Sequence, residues 1–537
     1  MAEDRTGDTS FYQCDMHGRG QAGVSSGGTY VLTDDEVAAL LSSDLGLVVI
    51  EAPAGCGKTY QGANYALKAA QALSVGRVLI LTHTHAARSV FASRTRGVSN
   101  RVEIRTIDSF LTEIAAVYHR SLDLPKDVGS WARENNAYEV VAARCRELLE
   151  RSISVSHAAA TRYPIIICDE HQDASADQHA VVMALHTAGS MVRFLGDPMQ
   201  LIYGGTGKGT RLALDRWEHL ATLGGFGKLK TPHRWETGSR ELGQWVLQAR
   251  EALASGNRIS LAEPLPEGLT VIHASNSARI AYKALNMSTD DRRPISDLAR
   301  NSQQLLVLTS GNDRVDHLNA FFNRTIRIWE GYSRDELSSL VRSVERFAGS
   351  APDVAEAFIT FVSSTCTGFT ASNHGQLVRQ EVMNSCEKVR RGLPAHLQTL
   401  SRMLLQRPDH QGVSLALSRL RDLVTSKTAG FSTISIDLKS EFHDAIKIGS
   451  FASAAEGLAE IIKRRSYSHP HPPERCISTV HKSKGLECDN ALVLMCDRRS
   501  LSSTDYKRRL MYVGLSRAKK SLTLVVCRDN PTPLFTF

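Results

Sequence analysis

Residues 45–60, LGLVVIEAPAGCGKTY, set an apolar run, a glycine turn and a Lys-Thr pair in immediate succession, and a helical pattern follows from Lys58. A tight glycine turn lets consecutive backbone N–H groups face an anion at a helix N-terminus, where unpaired amides and the helix dipole favour negative charge. In such a loop Lys58 reaches the outer oxygens of a polyphosphate and the Thr59 hydroxyl turns to a divalent cation. The strict GxxxxGK[ST] pattern is not met, because Ala52 stands at its first glycine, so the flanking strand and helix carry the assignment. Two look-alikes, GTGKGT at 205–210 and GFGKLK at 225–230, lack Ser or Thr after the lysine and read as surface loops.

The apolar run before the loop is one of a series. RVLILTHT at 77–84, VEIRT at 102–106, YPIIICDE at 163–170 and MVRFLGD at 191–197 continue it, separated by helix-length segments. Strands apolar on both faces and spaced by helices predict a parallel sheet covered on both sides. About 50 residues between Phe110 and Arg162 turn helical and read as an insertion. A second series runs through KLKTPHRW at 228–235, LTVIHA at 269–274, QLLVLTS at 304–310 and TIRIW at 325–329, and breaks off. After a helical stretch it resumes with CISTV at 476–480, ALVLMC at 491–496 and SLTLVVC at 521–527. The expected fold class is α/β, with two parallel-sheet domains in tandem, each carrying a mainly helical insertion. The boundaries read as a mobile Gly- and Ser-rich tail over 1–29, a first domain over 30–225 with its insertion at about 111–161, and a second domain over 226–330 and 471–537 interrupted by helices over 331–470.

Composition only trims the alternatives. With 42% hydrophobic and 22% charged residues the chain reads as a folded, soluble protein rather than a disordered one. The absence of a long apolar stretch and of a basic-then-apolar start makes the cytoplasm the expected location and a membrane an unexpected partner. Ten cysteines without a CxxC pair predict reduced thiols, and the isolated Cys14 to His17 and HPH 469–471 pairs read as surface residues. A net charge of +8 permits a polyanion partner without demonstrating one.

IIICDEHQD at 165–173 ends a buried strand on two carboxylates. Asp169 suits a Mg²⁺ ion, and Glu170 suits a base that takes a proton from water attacking a γ-phosphate. Gln200, in GDPMQ at 196–200, offers a polar group that can sense the same phosphate.

In this order the pieces resemble the superfamily 1 helicases of the UvrD, Rep, PcrA and RecB type. The resemblance rests on LTDDE (32–36), APAGCGKT (52–59), LTHTHAA (81–87), TIDSF (106–110), DEHQD (169–173), GDPMQLIYG (196–204), PHRW (232–235), STVHKSKGLECD (478–489) and MYVGLSRAK (511–519), and it spans about Leu32 to Val526. It implies that the two α/β domains are RecA-like parallel-sheet domains in tandem, with an ATP site between them. There Ala52, Pro53, Ala54, Gly55, Cys56, Gly57, Lys58, Thr59 and Tyr60 would hold the nucleotide, with Thr59 and Asp169 on Mg²⁺. Arg234 and Arg517 match the family's γ-phosphate arginines, Gly485 and Glu487 fall in the stretch that meets the ribose, and His233 stands where a tyrosine stacks on the base. Glu36 replaces the glutamine that reads adenine.

The implied nucleic-acid track departs further. His83 stands for a phenylalanine, Asp108 for a histidine, and Gly205-Thr206 for a Trp-Arg pair; Tyr203 and His481 remain at matching positions, with His85, Arg88 and Arg94 as neighbouring candidates. These changes fit a motor with a different grip or drift in tolerant contacts. The resemblance implies an ATP-driven translocase or helicase on single-stranded or partly duplex DNA, moving 3′ to 5′. The alternative is an ATPase subunit that senses or regulates beside a partner nuclease, as in compact UvrD-like proteins of the Gabija antiphage type.

Overall fold

The computed structural model describes residues 31–83, 85–135, 137–203, 207–275, 280–281, 284–285, 287–329, 335–468 and 472–537. The tail read over 1–29, the Gly205-Thr206 pair, Cys14, His17 and the HPH stretch lie outside them, as does the side chain of His85.

Seven parallel strands form the first sheet: β1 (Val31–Leu32), β2 (Leu47–Glu51), β3 (Val78–Thr82), β4 (Val102–Thr106), β5 (Ile165–Cys168), β6 (Met191–Gly196) and β7 (Gly225–Leu229). They lie in the order β1-β7-β2-β6-β5-β3-β4. Strict alternation divides the strand side chains between two cores. Val49, Leu79, Leu81, Ile166 and Phe194 pack on the helices Ile107–Val117, Tyr138–Arg151 and Ala176–Thr187, while Val48, Ile50, Ile80, Ile167 and Leu195 pack on Asp34–Leu41 and Lys58–Ala72. A strand buried on both faces must be apolar throughout, which is why these runs are visible in the sequence.

One strand breaks that rule and corrects the reading of GFGKLK as a surface loop. Residues 225–229 form β7, inserted between β1 and β2, so the first sheet extends past the expected boundary at 225. Gly225 and Gly227 are the reason: a Cβ on Gly227 would fall 2.7 Å from Leu32 and 3.1 Å from Leu40, so the neighbours' leucines fill the space that strand side chains ordinarily occupy. Of GTGKGT, residues 208–210 open the helix Lys208–Leu223.

The second sheet has six parallel strands: β8 (Leu269–Ala274), β9 (Leu305–Thr309), β10 (Arg327–Ile328), β11 (Arg475–Thr479), β12 (Cys488–Cys496) and β13 (Ala518–Cys527). Their order is β10-β11-β9-β12-β13-β8. The helices Arg240–Ala254 and Asp505–Leu515 cover one face, and Thr289–Asn301 and Asn312–Phe321 the other.

Both insertions are helical. Val128–Glu134, Tyr138–Arg151 and Ile153–Arg162 precede β5, and seven α-helices from Asp335–Arg346 to Ala454–Ser468 separate β10 from β11. The larger insertion closes its own core around Phe358, Leu397, Leu417 and Phe442, to which neither sheet contributes. No helix among the described residues is long and apolar enough to cross a membrane.

Candidate nucleotide site between the two sheets

The loop after β2 turns on Gly55 and Gly57, with φ of +77° and +81°, a backbone region that L side chains rarely adopt. Space excludes a side chain too, since a Cβ on Gly55 would lie 2.7 Å from Arg234 Cβ and 2.8 Å from the Trp235 ring. The short turn His233–Trp235 is therefore seated on the loop, and the Arg234 N–H donates to the Gly55 carbonyl at 3.0 Å. Gly57 caps the helix Lys58–Ala72, so the unpaired amides of its first turn face the same space as the Lys58 amine.

That space is a cleft of about 1700 Å³. Ala52, Pro53, Ala54, Gly55, Gly57, Lys58, Thr59, Tyr60, Asp169, Glu170 and Gln200 line one wall; His233, Arg234, Gly485, Glu487 and Arg517 line the other. Cys56 is absent from the lining. It is fully buried beneath the loop, and burial pushes its thiol up to about 12, so it is neutral filling.

Asp169 is fixed at the end of β5, where its amide donates to the Leu81 carbonyl at 2.8 Å. Its carboxylate is 1% exposed, neither oxygen has a hydrogen-bond partner, and Lys58 Nζ stands 3.7 Å away. Burial raises its pKa and Lys58 offsets this only in part. Glu170 follows in a left-handed turn at φ +54°, with one carboxylate oxygen against Lys58 Nζ and the other accepting from Gln172 Nε2 at 2.6 Å. Burial would raise Glu170 as well, but Lys58 and Lys484 outweigh it and hold the group ionised. An unpaired carboxylate and the Thr59 hydroxyl on one wall form an oxygen donor set that fits a hard cation shared with phosphates. No cluster of three or more His, Cys, Asp or Glu suited to a metal occurs among the described residues, so such a cation would rely on few protein ligands.

The facing wall is organised differently. Arg517 is 1% exposed and donates to the Val513 carbonyl at 2.8 Å, the Leu486 carbonyl at 3.1 Å and Ser516 Oγ at 2.7 Å. Burial and the nearby Arg234 pull its guanidinium down to about 10, which leaves it charged at neutral pH. Arg234 donates to the Ser516 carbonyl at 2.5 Å and to Glu487 at 2.6 Å. His233 bridges two carboxylates, Nε2 at 2.6 Å from Asp34 and Nδ1 at 2.6 Å from Glu236; burial opposes its charge, but these two partners win and raise its pKa. Glu36, by contrast, does not line the cleft. Its carboxylate accepts from the Thr33 N–H at 2.7 Å and the Thr33 hydroxyl at 2.9 Å, closing a capping box at the start of Asp34–Leu41.

Of the track candidates, His83, Arg94, Tyr203 and His481 line the same cleft, and Asp108 and Arg88 do not. His83 is recessed beside the carboxylates: burial lowers it to about 4 and leaves it neutral, with Asp108, Glu170, Lys484 and Lys58 as its charged neighbours. Asp108 accepts from Gln178 Nε2 at 2.8 Å and is raised by burial. His481 Nε2 lies 2.6 Å from the Tyr506 hydroxyl, and Tyr203, half exposed, carries the Lys484 ammonium 4.9 Å from its ring centre. Lys484 was not singled out from the sequence, although it sits inside the SKGLE stretch. It crosses between the two units to bond Asp173 and the Gln200 carbonyl at 2.5 and 2.8 Å. Tyr512, in YVGLSRA, was likewise missed, and its hydroxyl accepts from the Ala54 N–H at 2.7 Å.

Two family models match this chain: an AAA domain over residues 34–262 and a UvrD-like helicase C-terminal domain over residues 475–525. No curated protein matches it. Among solved structures it is similar to a Pif1 helicase from Candida albicans, with 14% identity, a TM-score of 0.29 and coverage of 55% of this chain and 54% of that one. The chain thus spans about half of that structure's length. The two family matches together cover both walls of the cleft: the AAA-domain match takes in Ala52 through Arg234, and the match to the UvrD-like helicase C-terminal domain holds Gly485, Glu487 and Arg517.

Proposed function

We propose that this chain is a translocase or helicase that draws single-stranded DNA through in the 3′ to 5′ direction, hydrolysing ATP with Mg²⁺ in the cleft between its two sheets. The observation that carries the reading is Asp169, a carboxylate 1% exposed with neither oxygen hydrogen-bonded, set 3.7 Å from Lys58 on a cleft whose opposite wall holds two arginines. Thr59 and Asp169 would hold the Mg²⁺, which neutralises phosphate charge when bound. Lys58 and the loop amides grip the β- and γ-phosphates, and Glu170, held ionised by two lysines, takes the proton of the attacking water. Arg234 and Arg517 stabilise charge that develops on the γ-phosphate, and Gln200 senses its departure. His233 stands at the base, Gly485 and Glu487 at the ribose. Tyr203 and His481 would meet bases by stacking, with His83 beside them.

The test is ATP hydrolysis by the purified chain with and without single-stranded DNA, with Glu170→Gln as blank. Stimulation that disappears in the variant is expected. The recessed His83 and the half-buried Asp108 favour, as a second reading, an ATPase subunit that engages DNA only beside a partner such as a nuclease. Hydrolysis indifferent to DNA supports that reading and overturns the first.

A further inference from the structure

We infer that Arg250, which lies outside every motif described above and does not line the cleft, is a positioning residue: it lets one buried carboxylate, Asp197, hold the phosphate loop, Gln200 and Tyr512 in a single closed arrangement. The inference rests on the nucleotide-site reading above.

Asp197 is fully buried at the end of β6. Its Oδ2 accepts from Gln200 Nε2 and from the Tyr512 hydroxyl, both at 3.0 Å. Because that hydroxyl gives its proton to Asp197, its oxygen is free to accept the Ala54 N–H of the phosphate loop. The Asp197 N–H in turn donates to Gln172 Oε1 at 3.1 Å, and Gln172 holds Glu170. Loop, phosphate sensor, candidate base and second unit therefore meet at one residue.

Both oxygens of Asp197 serve as acceptors in this junction, and none of its partners offers a lone pair in return. A carboxylate removed from water stays charged only beside a cation that also hydrogen-bonds it. Arg250 supplies both. Nη2 and Nε donate to Asp197 Oδ1 at 2.7 and 3.2 Å, while Nη2 also reaches Glu51 and Nη1 reaches Glu251, each at 2.8 Å. Lys228 completes the cluster at 3.5 Å from Glu51 and 2.7 Å from Glu251. The planar fork of an arginine reaches three carboxylates at once, a geometry that a lysine ammonium reproduces only in charge.

The experiment measures ATP hydrolysis and binding of a fluorescent ADP analogue by the full chain as wild type, Arg250→Gln, Arg250→Lys, Tyr512→Phe and the Arg250→Gln/Tyr512→Phe double variant. Arg250→Gln is expected to lower kcat about tenfold or more while changing the ADP-analogue affinity by less than about threefold, because the contact acts through Asp197 and not on the nucleotide. Arg250→Lys restores part of kcat, and the double variant is no slower than the slower single one, as expected of two residues acting through one carboxylate. Should Arg250→Gln fail to fold, Asp197→Asn/Arg250→Gln removes both charges and is expected to fold and stay slow. A wild-type kcat in the soluble Arg250→Gln or Asp197→Asn/Arg250→Gln protein overturns the inference. So do multiplicative losses in the double variant, or a kcat that falls only in step with affinity and melting temperature without rescue by lysine. A Glu170→Gln control that hydrolyses ATP normally strikes the nucleotide-site reading instead.

Discussion

On the wall of the cleft built by the first sheet, Asp169 keeps both oxygens without a hydrogen-bond donor and Asp173 keeps one; on the facing wall Arg517 places its guanidinium on three acceptors of its own unit. The first wall thus leaves a cluster of buried polar atoms without hydrogen-bond partners, whereas the second leaves Arg234 Nε alone among the described residues lining it. A buried polar group lacking a partner is costly, so the first wall gains when a cation and phosphates arrive, whereas the second must exchange internal bonds to reach them. Nucleotide is therefore expected to dock on the first wall and to recruit the arginines afterwards.

The largest effect that can break this contrast is on the second wall. Arg234→Ala should lower kcat by about 10³-fold or more, the range of an arginine that stabilises phosphoryl-transfer charge, while leaving binding of an ADP analogue nearly intact. A wild-type kcat would make that wall a bystander. Next, Glu170→Gln should lower hydrolysis by about 10²- to 10⁴-fold, as loss of a general base does, with ATP binding retained in a filter assay. Stability sharpens the contrast. Asp169→Asn should abolish hydrolysis yet stabilise the nucleotide-free chain by about 1 kcal/mol, raising its melting temperature, because it removes the charge of a buried carboxylate that lacks hydrogen-bond donors. Arg517→Ala should cost about 1–3 kcal/mol, since it removes three buried hydrogen bonds. The opposite pair of signs in calorimetry would refute the distinction between the walls.

Acid acts with opposite signs on the two sides. His83 and His179 are held neutral by burial, both at about 4, so their folded values lie below the usual 6.5. The unfolded chain then binds more protons, and stability falls as pH drops below about 6.5 toward 4. His233 is raised instead, so the stabilisation from its bridge is full below pH 6.5 and fades as pH rises through its folded value. The difference in melting temperature between the wild type and His233→Asn should accordingly be greatest at low pH, and a flat difference would argue against a charged bridge. The smallest effect belongs to Glu36→Ala, expected to lower stability slightly and to leave the ratio of ATP to GTP hydrolysis unchanged, because that carboxylate caps a helix.

The sheets were legible wherever strands bury both faces, because Val, Ile and Leu must then run continuously, as in Leu47–Glu51 and Ile165–Cys168. β7 was illegible for the converse reason: two glycines admit a neighbour's leucines and leave no apolar signature. The first wall could be read because Lys58, Asp169 and Glu170 each follow directly on a strand or open a helix, so chain order gives their placement. The bonds between units could not, since Ala54 meets Tyr512 and Asp173 meets Lys484 across hundreds of residues, with only the closed packing to join them.

The strand order of the second sheet also bears on how the chain matures. β8, β9 and β10 all lie before residue 330, yet among the described residues no two of them are neighbours in the sheet. β8 pairs only with β13, β10 only with β11, and β9 only with β11 and β12. During synthesis the first unit has all seven strands from β1 to β7 by residue 229, whereas the three early strands of the second wait as unpaired edges until residues 475–527 leave the ribosome. The nascent chain is thus most exposed to misassociation and to chaperone capture while the helices of 335–468 are being made, a vulnerability set by topology alone.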